Sequence, residues 1–144
     1  MKQGIYISIK KEHIDRIISG IKNYEFRKYI PKRGADILYV YVPSPVCELK
    51  YIIEVNNIIS YPNKILKEGY GNKEFNEGLK KSKFAYEVSS VYELESTVKL
   101  SLLKDLYGFS APQSYAYDDR YKELTEYINK MKKNKLVSVK SFGD

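Results

Sequence analysis

The sequence predicts an α+β domain, and three observations carry that prediction. Apolar and polar residues alternate with period two in several segments of the first half, as expected for half-buried strands. Apolar residues recur at helical spacing after Lys10 and again after Asp118. Proline and glycine punctuate the stretches between. No long polar or proline-rich linker divides the 144 residues, so residues 1–144 are expected to form one domain, long enough for a real hydrophobic core.

Residues 5–9 read as the opening strand. Over residues 11–19, Ile14, Ile17 and Ile18, with Ile21 beyond, mark one inward helix face, and Gly20 is a natural left-handed stop. Residues 24–27 then form a strand in which Tyr24 and Phe26 point one way and Glu25 and Arg27 the other, because side chains alternate across a pleated backbone. An acid and a base therefore share a face. Ile30-Pro31-Lys32-Arg33-Gly34 is a basic turn. Residues 36–42 are apolar on both faces, which suits a strand in a closed barrel or one covered by a helix, and they stop at Pro43-Ser44-Pro45. Leu49, Tyr51, Ile53 and Val55 alternate with Lys50 and Glu54 in a long strand with one wetter face.

Pro62, Gly69, Gly71 and Gly78 break up the next stretch, where helical propensity predicts two short helices at residues 64–68 and 73–80. Residues 84–95 read as a strand bulged near Ser89-Ser90, and residues 100–106 as a turn of helix. The longest helix is expected over residues 118–133, burying Leu124, Tyr127, Ile128 and Met131. Residues 135–142 alternate weakly and are expected to close the sheet.

Composition narrows the function. Of the net charge of +7, +6 lies in residues 1–34, which hold nine Lys or Arg against three acids. Such a basic lobe is what a polyanion partner selects, although a lysine-rich solvated surface gives the same count. No apolar run approaches the roughly 18 residues that span a bilayer, and the start lacks the pattern of a secretion signal, so a cytoplasmic protein without membrane contact is expected. One cysteine, Cys47, forms no internal disulfide, and with the single histidine, His13, it cannot assemble the usual zinc ligands; neither a metal nor a cofactor is expected. His13 falls on the polar side of the first helix. The sequence carries no signal for an oligomeric state.

The order of parts is Ser8-Ile9-Lys10, a short helix, Gly20-x-Lys22-x-x-Glu25-x-Arg27, Ile30-Pro31-Lys32, a tyrosine-rich strand and Ser44-Pro45. Farther on come Phe84-Ala85-Tyr86-Glu87-Val88, Leu94 and Ala111-Pro112-Gln113-Ser114-Tyr115. This order resembles the ASCH domain family of the PUA-like superfamily, over roughly residues 4–117. The resemblance implies a small PUA-like β-barrel with flanking short helices and, in this chain, a longer C-terminal helix. It also implies a cleft lined by the Gly-x-Lys-x-x-Glu-x-Arg segment and a role in binding nucleic acid, RNA in preference to DNA. The candidate contacts are Lys10, Lys22, Tyr24, Glu25, Arg27, Lys28, Lys32, Arg33, Ser44, Gln113, Ser114 and Tyr115.

Each has a chemical reason. Lys22 is a compact charge for a phosphate, or a nucleophile or base if burial lowers its pKa. Glu25 can orient Arg27 for bidentate contact with phosphate or a base edge, or the two can form a purely structural pair. Lys28, Lys32 and Arg33 suit nonspecific phosphate contacts around the turn. Tyr24, Tyr41, Tyr115 and Tyr117 are candidate stacking platforms for unpaired bases, with core packing the competing role. Gln113 and Ser114 offer donors and acceptors for a base edge, or cap the following helix. A binding module is expected in preference to an enzyme. The enzyme alternative is an amidohydrolase of N4-acetylcytidine or a related acylated nucleoside, with Lys22 and Glu25 catalytic. The family pattern for such enzymes includes a hydroxyl residue where this chain has Glu25, and no threonine lies between Gly20 and Asp36. An interaction domain for a protein partner, with the apolar side of the last helix exposed, is the third reading.

Overall fold

The computed structural model describes residues 2–138. A mixed sheet of seven strands curls into a half-barrel, with four α-helices packed around it. The strands are β1 (Gly4–Ser8), β2 (Tyr24–Arg27), β3 (Ile37–Val42), β4 (Glu48–Ser60), β5 (Phe84–Lys99), β6 (Ala116–Tyr117) and β7 (Lys133–Ser138). The helices are α1 (Lys11–Ile18), α2 (Asn72–Asn76), α3 (Leu100–Tyr107) and α4 (Lys122–Lys130). The sheet order is β2-β5-β4-β3-β1-β6, with β7 also paired to β5. Only β1 and β3 run parallel, as the crossover through α1 and β2 requires.

The 16-residue β5 organises the outer half. One edge pairs with β4; along the other, β2 pairs with residues 84–87 and β7 with residues 90–94. Two short strands thus lie in line along residues 84–94 of that edge. The expected bulge is present: Glu54 opposes Ser90 and Val55 opposes Val88, leaving Ser89 extra. A compensating irregularity on β4 lies between Val55 and Ile58 and turns Asn56 and Asn57 toward Glu87.

Inside the curl, Ile5, Ile7, Leu38, Val40, Ile53, Tyr86 and Val91 are fully buried together with Ile14 and Ile17 of α1. Burying an aliphatic side chain of this size contributes about 1.5–3 kcal/mol, so these two residues suffice to dock a helix of eight. The opposite face of β3 and β4 packs Tyr6, Tyr39, Leu49 and Phe109 against Leu124 and Ile128 of α4.

Several expectations change. Ile21 is 59% exposed, because α1 ends at Ile18 and Gly20, at φ 86°, turns the chain before the helical period reaches it. Residues 64–68 are not helical. There the carboxamide of Asn76 accepts from the Ile65 N–H at 2.7 Å and donates to the Ile65 carbonyl at 2.8 Å, replacing helical partners. The C-terminal helix is also shorter than residues 118–133. Asp118–Tyr121 form a 3-10 turn tied to β1 through Asp118, which accepts from the Gly4 N–H, and α4 itself has nine residues. Leu124 and Ile128 make its buried stripe, while Tyr127 is 45% exposed and Met131 lies past the helix end. The closing strand begins at Lys133, two residues early; residues 139–142 of that expectation lie outside the described residues.

Candidate nucleic-acid interface

The Gly-x-Lys-x-x-Glu-x-Arg segment folds as its alternation requires. Tyr24 and Phe26 pack with Ile65, Phe75 and Ala85 on one face of β2. Glu25 and Arg27 face the inside of the curl, beside Tyr86. Glu25 holds both neighbouring cations. Its Oε2 accepts from Arg27 Nη2 at 2.7 Å and Nε at 3.1 Å, and its Oε1 lies 3.5 Å from Lys22 Nζ. Lys22 and Glu25 are only 4% and 6% exposed. Arg27 also donates to the Ser8 carbonyl at 2.7 Å, bridging the open gap between β2 and β1. Burial pushes the Lys22 pKa below its ordinary value, against the pull of Glu25; Lys80 and Arg27 push the same way as burial. His13 faces this group from α1, and burial followed by the Lys22 charge lowers its pKa. Its Nδ1 is buried without a hydrogen-bond partner among the described residues.

A cavity of about 440 Å³ opens next to this group. Its walls are residues 26–29, Gln113 and Ser114, and Ser82. Tyr29 connects the walls: its hydroxyl donates to the Ser114 carbonyl at 2.9 Å, and its own carbonyl accepts from Tyr86 Oη at 2.5 Å. Tyr29 and Tyr115 pack with centroids 5.1 Å apart, and Tyr115 meets Tyr117 edge-on at 5.3 Å. A larger cavity, about 580 Å³, lies between residues 64–69 and α2. It lacks both the aromatic row and the converging segments of the smaller one.

The structure therefore brings Arg27, Lys28, Gln113 and Ser114 around one cavity, with Lys22 and Glu25 buried beside it and Tyr115 half-buried at the aromatic row. The other expected residues fall elsewhere. Tyr24 and Tyr41 have no open ring face, being 3% and 2% exposed. The Tyr24 hydroxyl donates to Glu87 at 3.3 Å, and burial first, then Glu87, pushes its pKa up to about 12. Arg33 pairs with Asp119 at 2.9 Å and lies over the Tyr117 ring, so its charge is already matched. The exposed side chains of Lys10 and Lys32 make no hydrogen bond or ion pair among the described residues, and Ser44 is exposed in the turn after β3. Sequence reasoning passed over Tyr29 and Ser82. Tyr29 sits two residues beyond Arg27 and so continues the alternation; Ser82 has no comparable signal.

On the other face of the same ribbon, Glu87 accepts from Asn56 at 3.0 Å and pairs with Lys67. Burial alone would raise the Glu87 pKa. The Lys67 ammonium, Asn56 and Tyr24 outweigh it and hold the carboxyl below its ordinary value. Among the described residues no group of three or more His, Cys, Asp or Glu is placed to hold a metal. No helix among them is long and apolar enough to cross a membrane.

A half-barrel with a charged cleft at its open edge defines the class. The chain belongs to the ASCH domain family, whose model matches residues 7–136. Crystal structures of the ASCH protein from Zymomonas mobilis share the fold. One, of that protein without a named substitution, has 21% identity, a TM-score of 0.61, and coverage of 85% of this chain and 94% of that one. A tyrosine-to-phenylalanine variant of it superposes with a TM-score of 0.65 at 18% identity, over 87% of this chain and 98% of that one. A serine-to-alanine variant gives 0.61 at 20% identity, over 88% and 96%. No curated protein matches the sequence significantly.

Proposed function

We propose that this ASCH domain is a PUA-like nucleic-acid-binding module, with RNA favoured over DNA, that receives one unpaired nucleotide in the cavity beside Arg27. The observation that carries this reading is the convergence of Arg27 and Lys28 with Gln113 and Ser114, 85 or more residues distant in sequence, around one cavity. Arg27 and Lys28 supply positive charge, Gln113 and Ser114 supply donors and acceptors for a base edge or a 2′-hydroxyl, and Tyr115 offers a stacking surface. Glu25 holds Arg27 in place, so little side-chain entropy remains to be lost on binding. Lys10 and Lys32 extend the positive surface along a bound strand. The test is anisotropy of labelled single-stranded RNA, duplex RNA and DNA at two salt concentrations, with Gln113→Ala and Lys28→Ala as cavity variants. Salt-weakened binding of single-stranded RNA that drops in both variants is expected; no affinity for any of the three would end this reading.

One observation favours a second reading, hydrolysis of an acyl group from N4-acetylcytidine or a related nucleoside. Burial lowers the Lys22 pKa, which raises the fraction of free amine available as a base or nucleophile. Against it, the residue three positions on is Glu25, a carboxylate already shared by two cations, and not a hydroxyl. Acetate release that survives Lys22→Ala in folded protein would exclude Lys22 from such a role.

A further inference from the structure

The cations at the rim of β2 outnumber its carboxylates. Lys22 Nζ and Lys80 Nζ each lie 4.5 Å from the centroid of the Phe26 ring. Arg16 lies 4.4 Å over the Tyr70 ring, which also sits 5.9 Å from Lys22 Nζ. Three cations, Arg16, Lys22 and Lys80, thus gather around Phe26 and Tyr70, and Glu25, which also holds Arg27, is the carboxylate beside Lys22. Neither Arg16 nor Lys80 has a carboxylate within 4.0 Å among the described residues. Aromatic faces hold such charges in place but do not neutralise them.

The loop that carries Lys80 is built to a fixed shape. Lys83 Nζ donates to the Gly78 carbonyl at 3.1 Å and the Lys80 carbonyl at 2.6 Å, and the Leu79 N–H donates to the Glu74 carbonyl at 2.9 Å. Gly71, at φ 83°, lets the loop approach β2: a Cβ there would lie 2.8 Å from the Phe26 ring and 3.2 Å from Lys80 Nζ. Two residues beyond Lys80, Ser82 lines the 440 Å³ cavity. Phe26, which carries the Lys80 ammonium over its ring, therefore lines the proposed nucleotide seat together with Ser82 and Arg27. Arg33, the strongest basic group of the 30–34 turn, is by contrast matched by Asp119.

We propose that the Lys80 and Ser82 side chains form the phosphate-binding side of this cleft, so that its ligand is a phosphorylated nucleotide and not a free nucleoside. The inference rests on the nucleotide reading above and adds the chemical group that the cleft selects. A phosphate monoester, carrying about −1.5 to −2 at neutral pH, or a phosphodiester of a strand would match the unbalanced charge of Lys80 and its neighbours. Phosphate on a free mononucleotide and phosphate within RNA are the two sources of that chemistry.

The test is titration calorimetry and anisotropy with a nucleoside, its 5′-monophosphate and a short single-stranded RNA. The variants are Lys80→Gln, Ser82→Ala and, as a control for net charge, Lys81→Ala; Lys80→Gln keeps a side chain against Phe26. Expected is tighter binding of phosphorylated ligands than of the nucleoside, about a tenfold loss in Lys80→Gln with the salt slope reduced by about one, and little change in Lys81→Ala. Preference for the monophosphate would identify a mononucleotide site, and preference for RNA a strand site. Equal losses in Lys80→Gln and Lys81→Ala, or a nucleoside bound as tightly as its monophosphate, would overturn the inference while leaving the nucleotide reading intact. Failure of the unmodified protein to bind any of the three would overturn both.

Discussion

Glu25 and Glu87 lie on directly paired strands yet one residue out of step: Tyr24 opposes Glu87 and Tyr86 opposes Glu25, so the two carboxylates stand on opposite faces of one ribbon. Each collects its own cations, Lys22 and Arg27 for Glu25 and Lys67 for Glu87. Two charged networks thus share a backbone without sharing a partner.

Removing the Glu25 charge strands two cations, one of them almost wholly buried. Glu25→Gln is expected to cost about 3 kcal/mol or more, read from urea unfolding. Lys22→Met should cost much less, within about 1 kcal/mol, because Glu25 keeps Arg27 and an apolar chain fits the same space. Equal losses in the two variants would show that Glu25 does not anchor the group.

Glu87 makes stability depend on acid. Its folded pKa lies below the ordinary 4.5, so the unfolded chain takes up the proton first. The stabilisation is fully present above pH 4.5 and is lost as pH falls through the folded pKa. The melting temperature of Glu87→Gln should therefore fall less than that of the unmodified protein between pH 5 and 3, and parallel curves would contradict the assignment.

Gly71→Ala is expected to disturb stability and binding together. The residue has φ 83°, and its new methyl would meet the Phe26 ring. A cost of about 1–3 kcal/mol is expected by thermal or urea unfolding, with weaker RNA binding from displacement of Phe26 and Lys80. Unchanged affinity in a destabilised variant would separate the loop from the interface.

The tyrosines divide by exposure. Tyr115→Ala should weaken single-stranded RNA binding about tenfold in anisotropy, as expected for loss of one stacking surface. Tyr41→Phe, deep against Phe109, should leave the affinity unchanged.

What the sequence revealed follows from the range of the interactions involved. The Glu25–Arg27 pairing, the Gly20 stop and the Ser89 bulge depend on neighbours a few residues away, and local alternation exposed all three. Ile21 left the helical period because α1 ended sooner than propensity alone predicts, whereas Tyr127 lies within α4 but off the Leu124–Ile128 stripe. Residues 64–68 lost their helix to a side chain of α2 that no local pattern announces. Gln113 and Ser114 were reached through family resemblance, since nothing in their own spacing points to a strand 85 residues earlier. Lys80 read as the end of a helix; only the folded chain sets it over Phe26.

Among the described residues, the four-residue β2 is paired along one side only, with β5. Few bonds must break for it to open, so its amides should exchange with solvent far sooner than those of β3 or β4, which have neighbours on both sides. A ligand spanning from β2 to residues 113–114 would supply the missing restraint. Slowed deuterium uptake at residues 25–27, with β3 unchanged, would then report occupancy before any chemical assay had identified the ligand.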